Sequence, residues 1–231
     1  MAMEVLVTGG DTELGRTVAE GFRDAGHTVT LTGARRDDLE VAAKELDVEA
    51  IVCDNTDPAS LTEAHGLFPR HLDTLVNVPA PRWDPGGPHG YSVASRASLA
   101  DLAGAWRHAL DDTALSAVLT TQLVADHLRS GGSILAVVPE NARAGSAQAA
   151  AKAALANWVA GQAGVFGARG ITVNAIACGR GAAPGYAGLS RVPPTVAAEI
   201  ARLALFVTSP AARHVTGQML HVSSGALTRC G

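Results

Sequence analysis

Runs of basic residues and long apolar runs are both missing from this 231-residue sequence. No stretch of consecutive Lys or Arg exceeds two residues, and the formal net charge is −4. This balance argues against nucleic acid and anionic membranes as partners. No apolar run approaches the roughly 20 residues that a membrane-spanning helix needs. The start of the sequence also lacks the features of a signal peptide, so we expect a cytoplasmic protein.

Cysteines and aromatic residues are scarce as well. The three cysteines, Cys53, Cys178 and Cys230, are odd in number and far apart. They indicate reduced thiols and argue against a disulfide framework or a metal site. Aromatic residues make up 4% of the chain and hydrophobic residues 47%, so aliphatic side chains and Ala must build the core. The length fits one domain over residues 1–231.

Short apolar runs alternate with longer helical patterns along the whole chain. Strands that are apolar on both faces and separated by helices predict a parallel sheet covered on both sides, that is, a doubly wound α/β fold of about seven strands. The predicted strands are Glu4–Thr8, Thr28–Thr32, Glu49–Cys53, Thr74–Val78, Ser133–Val138, Ile171–Ile176 and Met219–Val222. The predicted helices cover residues 14–26, 38–46, 59–67, 98–129, 147–168 and 195–208.

Two segments rich in Pro and Gly, residues 79–97 and 178–194, follow predicted strands. Both lie at carboxyl ends of strands, where open α/β sheets bind ligands. They therefore either line a site or are simply exposed loops.

The first predicted strand runs into a glycine-rich turn, Thr8–Arg16, that precedes a helix. Such a turn lets backbone N–H groups approach a pyrophosphate at the helix N-terminus. A tight turn without a ligand is the alternative. Glu13 favours that alternative, because its negative charge and bulk stand close to where phosphate would bind.

Several motifs in the same order resemble the short-chain dehydrogenase/reductase family, and specifically its 3-oxoacyl-carrier-protein reductase branch. Thr8–Gly15 resembles the TGxxxGxG turn with Glu13 in place of the middle Gly, and residues 75–80 resemble the LVNNAG segment with only its first Asn. Residues 170–179 and 215–222 resemble the last two strands of the family, with Cys178 replacing a Pro. The resemblance implies a Rossmann-type fold and cofactor contacts at Gly9, Leu14, Gly15, Arg35, Arg36, Asp54, Asn55, Asn77 and Lys152.

The positions that carry catalysis in the family are changed. The YxxxK motif matches residues 148–152, so Lys152 is retained and Gln148 replaces the Tyr. Pro139 stands at the position of the Ser, and Thr113 stands at or next to the supporting Asn. Gln148 has no proton to give up near neutral pH, and Pro139 has neither a hydroxyl nor a backbone N–H. Loss of a general acid costs about 10²–10⁴-fold in rate.

Two functional hypotheses follow. The first is an oxidoreductase of weak or altered activity on a small carbonyl or acyl thioester, in which Glu140, Tyr186, His89 or Tyr91 replaces the lost acid. The second is an inactive pseudoenzyme that binds cofactor or serves as a partner subunit. The sequence does not identify the substrate.

The segment Thr32–Arg36 predicts NADP(H) as the cofactor, if one binds. No carboxylate follows the second strand to bind a ribose 2′-hydroxyl, whereas Arg35 and Arg36 suit a 2′-phosphate.

The helix over residues 147–168 has small apolar residues on almost every face, which indicates burial all round. The helix over 98–129 also carries apolar residues beyond one stripe. In the family these two helices form contacts across a two-fold axis, so we expect a homodimer or homotetramer. The alternative is a monomer whose apolar helix faces are covered by the two long loops.

Overall fold

A computed structural model describes residues 2–80, 98–138, 145–178 and 195–222. Seven strands form one sheet in the order β3-β2-β1-β4-β5-β6-β7, and every neighbouring pair is parallel. The strands are β1 Glu4–Val7, β2 Thr28–Gly33, β3 Glu49–Val52, β4 Leu72–Asn77, β5 Leu128–Val138, β6 Thr172–Cys178 and β7 Met219–Val222. This is the doubly wound, Rossmann-type arrangement that the alternating pattern predicts.

Helices connect the strands and begin where the sequence supplies a capping side chain. Thr12, Asp57, Ser98, Ser146 and Thr195 each accept a hydrogen bond from a backbone N–H in the first turn of the helix that follows. The helices are α1 Glu13–Asp24, α2 Arg36–Leu46, α3 Pro58–Ala64, α4 Leu99–Leu110, α5 Ser116–Val124, α6 Ala147–Gly167 and α7 Val196–Val207.

Alternating strand residues divide the core into two layers. In β5, Leu135 and Val137 pack on the side of α1, α2 and α7, whereas Ile134 and Ala136 pack on the side of α3, α5 and α6. Successive strand side chains point to opposite faces, so a strand buried on both faces must be apolar throughout. None of the helices in the described ranges is long and apolar enough to cross a membrane.

The predicted helix over residues 98–129 is interrupted. A π-helical turn, Asp111–Leu115, separates α4 from α5, and α5 ends at Val124. Strand β5 then begins at Leu128 rather than at Ser133, because residues after the helix pair with β4. Leu128 lies four residues after Val124, so its spacing fits a helical pattern as well as a strand. Gly131, at φ +80°, departs from regular strand geometry, and the pairing of β5 with β4 shifts register between Leu72 and Thr74.

Candidate functional site

A cavity of about 290 Å³ opens at the carboxyl ends of β1, β2, β3 and β4. Helices leave β1 and β4 toward opposite faces of the sheet, and this divergence creates the crevice in which doubly wound folds bind ligands. The cavity is lined by Asp11, Gly33, Ala34, Arg35, Cys53, Asp54, Asn55, Thr56, Val78, Pro79, Ala80, Asp112 and Ser116.

The glycine-rich turn after β1 is packed too closely for side chains at two positions. Gly9 has φ +64°, and a Cβ there would lie 2.5 Å from the Val78 carbonyl oxygen. A Cβ on Gly15 would lie 2.0 Å from the Gly9 carbonyl oxygen. The predicted role of these glycines in a close backbone turn is therefore supported by the packing. Leu14 between them is half-buried and packs against the core layer of α1.

Thr8 joins the two strands that border the crevice. Its hydroxyl donates to the Val78 carbonyl oxygen at 3.0 Å and accepts from the Val78 backbone N–H at 2.9 Å. Thr8 and Val78 are both buried. The edges of the crevice are thus held at a fixed separation.

Helix α1 begins at the turn, and its N-terminus carries a carboxylate. Thr12 caps the helix by accepting from the Gly15 backbone N–H at 3.0 Å, and the exposed Glu13 is the first helical residue. A carboxylate at this end of a helix is stabilised by the helix dipole. The same charge disfavours a bound phosphate at this N-terminus.

Asp11 contributes a second carboxylate, which is buried. Its side chain is 1% exposed and pairs with Arg35, whose backbone N–H and Nε both donate to Oδ2 at 3.1 Å. The Arg35 Nη2 also donates to the Asp11 carbonyl oxygen. The other carboxylate oxygen, Oδ1, is buried and has no hydrogen-bond partner among the described residues.

Neither predicted 2′-phosphate ligand is an isolated cation. Arg35 contacts Asp38 at 3.3 Å in addition to Asp11, and Arg36 pairs with Glu40 at 3.2 Å on the exposed side of α2. Only Arg35 lines the cavity.

The turn after β3, residues 53–56, forms another part of the cavity wall. Asp54 accepts from the backbone N–H and hydroxyl of Thr56 at 2.9 and 2.8 Å, which fixes the turn. Asn55 Oδ1 accepts from the Cys53 thiol at 3.2 Å. Burial raises the pKa of the Cys53 thiol to about 11, and the nearby Asp11 carboxylate acts in the same direction.

Behind the carboxyl end of β4, polar groups are buried without full pairing. Asn77 donates from Nδ2 to the Thr121 hydroxyl at 3.3 Å, whereas its Oδ1 has no partner among the described residues. The buried Thr120 hydroxyl is also unpartnered within those ranges. Asn77 thus contacts α5 through Thr121 and does not line the cavity.

The π-helical turn brings Asp112 to the cavity and the start of α5 brings Ser116, whose hydroxyl donates to the Asp112 carbonyl oxygen at 2.7 Å. Thr113, the predicted position of the supporting Asn, lies in the same turn but does not line the cavity. Single π-helical turns are frequent at functional sites because they redirect side chains and backbone groups within a helix.

The retained Lys152 and Gln148 lie on one face of α6, four residues apart. Lys152 is half-buried and Gln148 is exposed. Ala147 and Ala151 on this helix pack against Ala109 of α4. Pro139, Glu140, His89, Tyr91 and Tyr186 lie outside the described residues, so their predicted roles stay predictions.

The structure therefore brings together Asp54, Asn55 and Arg35 from the predicted set, with the glycine turn beside them. Sequence reasoning missed Asp11, Cys53, Thr56, Asp112 and Ser116. The signal for Asp11 was available, because a residue that follows β1 lies beside the end of the neighbouring parallel strand β2. The described ranges contain no group of three or more His, Cys, Asp and Glu side chains suited to a metal ion.

Comparison with known proteins identifies the class. Residues 3–184 match the family model of short chain dehydrogenases. A Mycobacterium tuberculosis (strain H37Rv) protein with the provisional name oxidoreductase is 71% identical over 229 residues, which is 99% of this chain and 100% of that protein. The chain therefore belongs to the short-chain dehydrogenase/reductase family, a family of oxidoreductases.

More distant relatives have specific names. Gluconate 5-dehydrogenase of Gluconobacter oxydans is 26% identical, with 95% of this chain and 93% of that protein covered. The crystal structure of hydroxysteroid dehydrogenase from Escherichia coli has a TM-score of 0.75 and 27% identity, and covers 97% of this chain and 96% of that one.

The raised pKa of the Cys53 thiol gives a test of whether this part of the cavity wall is buried. With a pKa of about 11, only about 0.1% of this thiol is ionised at pH 8, and the thiolate is the reactive form. We expect alkylation of Cys53 by iodoacetamide to be slow at pH 8 and to accelerate about tenfold per pH unit up to pH 10. Peptide mass spectrometry follows the site, with free cysteine as the reference. Rapid alkylation at pH 8 would contradict the buried environment.

Proposed function

We propose that this protein binds a nicotinamide adenine dinucleotide at the carboxyl edge of the sheet, with the adenosine half in the cavity between the ends of β1 and β4. The observation that carries the proposal is the convergence of the glycine turn, the Asp54–Thr56 turn and residues 78–80 on one crevice. Family membership supports the same cofactor class.

The residues present fit the adenosine half of this cofactor. The cavity has both apolar walls, from Val78 and Pro79, and polar groups from Asp54 and Asn55. Gly9 and Gly15 bring the backbone close to the diphosphate position, and Lys152 would hold the nicotinamide ribose hydroxyls. When bound, the cofactor supplies or accepts a hydride.

The family's Tyr proton donor is the group that we infer this chain lacks. Gln148 stands exposed on the face of α6 that holds Lys152, and its amide donates a hydrogen bond without releasing a proton. The protein therefore orients a carbonyl oxygen poorly and does not protonate the alkoxide by the family's Tyr route. We propose a weak or altered oxidoreductase activity on a small-molecule carbonyl, alcohol or acyl thioester, a class supported by the dehydrogenase names of the distant relatives.

Glu13 favours a second candidate function, a pseudoenzyme without turnover that binds cofactor or serves as a scaffold or partner subunit. This carboxylate occupies the first turn of α1, where the diphosphate of a dinucleotide would meet the helix N-terminus. Repulsion there weakens cofactor binding, and a partner subunit without turnover tolerates weak binding better than an enzyme that needs the cofactor does. The two candidates differ in whether bound cofactor is ever oxidised or reduced.

The direct experiment is a titration of the purified protein with NADH and NADPH, followed by the fluorescence of the dihydronicotinamide. We expect saturable binding of at least one of them. Replacement of Glu13 by Gly should tighten binding about three- to tenfold, because a negative charge is removed from the diphosphate position. Glu63 is exposed on α3 and is not among the cavity-lining residues, so Glu63→Gly provides the matched control. Absence of binding to both cofactors would refute the proposed function.

Restoring catalysis should require more than one substitution. We expect Gln148→Tyr alone to remain nearly inactive, because Pro139 still offers no hydroxyl to the substrate oxygen. The double variant Gln148→Tyr, Pro139→Ser should gain turnover of a generic 3-oxoacyl thioester by about 10²-fold or more. Cofactor oxidation at 340 nm measures the rate. Robust wild-type turnover that survives Lys152→Ala would place the chemistry elsewhere.

Self-association through α4 and α6 is the partner interaction we propose. Ala153, Ala154, Ala160, Gly161 and Val165 are exposed along α6, and α4 exposes Leu99, Leu102 and Trp106. Small residues allow close helix contact across a two-fold axis, so we propose a homodimer or homotetramer, with the tetramer preferred.

We expect Ala160→Glu to dissociate the assembly, because it introduces a charge into the apolar contact. Ala156 is a less suitable position for this substitution, because it is half-buried within the protomer. Ala59→Glu on the exposed surface of α3 is the matched control. Light scattering at micromolar concentration gives the mass, and a wild-type protein that is already monomeric would contradict the prediction.

A further inference from the structure

The buried carboxylate of Asp11 lies where nucleotide-binding folds of this type usually place a ribose-binding acid. That acid usually follows β2 in sequence and accepts a hydrogen bond from the ribose 2′-hydroxyl. Here Gly33 ends β2, and a Cβ on Gly33 would lie 2.7 Å from Asp11 Oδ1. The carboxylate therefore rests directly against the end of β2, although it belongs to the turn after β1.

One oxygen of this carboxylate has no partner to satisfy it. Oδ2 accepts two hydrogen bonds from Arg35, whereas Oδ1 is buried and unpartnered within the described ranges. A buried acceptor without a donor costs free energy, and a hydroxyl of a bound ligand is a suitable donor. Asp11 and Arg35 both line the cavity.

Arg35 is held in a position that opposes binding of a 2′-phosphate. Its backbone N–H, Nε and Nη2 all donate to Asp11, and Asp38 holds the same guanidinium from the other side. To bind a phosphate, Arg35 would leave a buried carboxylate uncompensated, which is strongly unfavourable. Arg36 does not replace it, because Arg36 pairs with Glu40 away from the cavity.

We infer that Asp11 selects NAD(H) over NADP(H): its carboxylate accepts a hydrogen bond from an adenosine ribose hydroxyl and repels a 2′-phosphate. This inference rests on the proposed binding of a nicotinamide dinucleotide. A 2′-phosphate brings about two negative charges to a site that already holds a buried anion. The single positive charge of Arg35 is shared with two carboxylates and does not offset them.

Comparison of the binding affinities within two pairs of ligands tests the inference. The dissociation constants of NADH and NADPH are measured first, followed by those of adenosine and adenosine 2′-monophosphate. The second pair lacks a diphosphate, so Glu13 has little influence on the comparison. We expect the wild-type protein to bind NADH at least tenfold more tightly than NADPH, and adenosine more tightly than its 2′-monophosphate.

The variant Asp11→Asn keeps the shape of the side chain and removes its charge. We expect it to lower the NADH preference at least tenfold, mainly through tighter NADPH binding, because Arg35 is released toward the phosphate. Asp11→Ser serves the same purpose if the Asn variant does not fold, as judged by thermal unfolding. The matched control is Asp37→Asn, which makes the same change at an exposed residue in the first turn of α2, outside the cavity lining, and its preference should stay close to wild type.

The outcomes separate the inference from the proposal on which it rests. Equal binding of both cofactors, or tighter NADPH binding, by the wild-type protein would overturn the selection by Asp11 and leave the proposed function intact. An unchanged preference in a folded Asp11 variant would also overturn it. Failure of the wild-type protein to bind any of the four ligands would refute the proposed function and the inference together.

Discussion

Helices leave β1 and β4 toward opposite faces of the sheet, and the rest of the site depends on the crevice that opens between them. Thr8 closes the base of this crevice through two hydrogen bonds to Val78, and Gly9 fits there only because it lacks a side chain. Parallel strands end at one edge, so the turns after β1, β2 and β3 must meet at the same crevice. A ligand bound there contacts residues that lie far apart in the sequence.

Two carboxylates lie at the carboxyl edge of the sheet. Asp11 places a buried negative charge against the end of β2, and Glu13 places an exposed one at the N-terminus of α1. Arg35 compensates the first, whereas the helix dipole of α1 stabilises the second. The predicted replacements at Gln148 and Pro139 are therefore not the only expected departures from the family, since we propose that these two charges affect cofactor binding.

Most of the fold could be predicted, because apolar runs buried on both faces leave few alternatives to a parallel sheet. All seven strands form, with shifts of at most two residues at their ends except for β5, which begins five residues earlier than predicted. The long helix over residues 98–129 was wrong in its extent, since the π-helical turn at Asp111–Leu115 and the early start of β5 leave no mark on the apolar spacing. Pairing of β5 with β4 decided that boundary.

The sequence by itself determined the family and the glycine turn and predicted the replacement of the usual proton donor, since each of these is carried by residues that are near neighbours in the chain. It also indicated NADP(H), because Arg35 and Arg36 follow β2 and no carboxylate is adjacent in sequence. Only the tertiary structure decided that a carboxylate does stand there. Parallel pairing of β1 with β2 sets Asp11 against Gly33, and the ion pair between the buried Asp11 and the exposed Arg35 holds Arg35 in place. A side chain's charge is fixed by sequence, but the partner that it meets depends on which strands lie side by side.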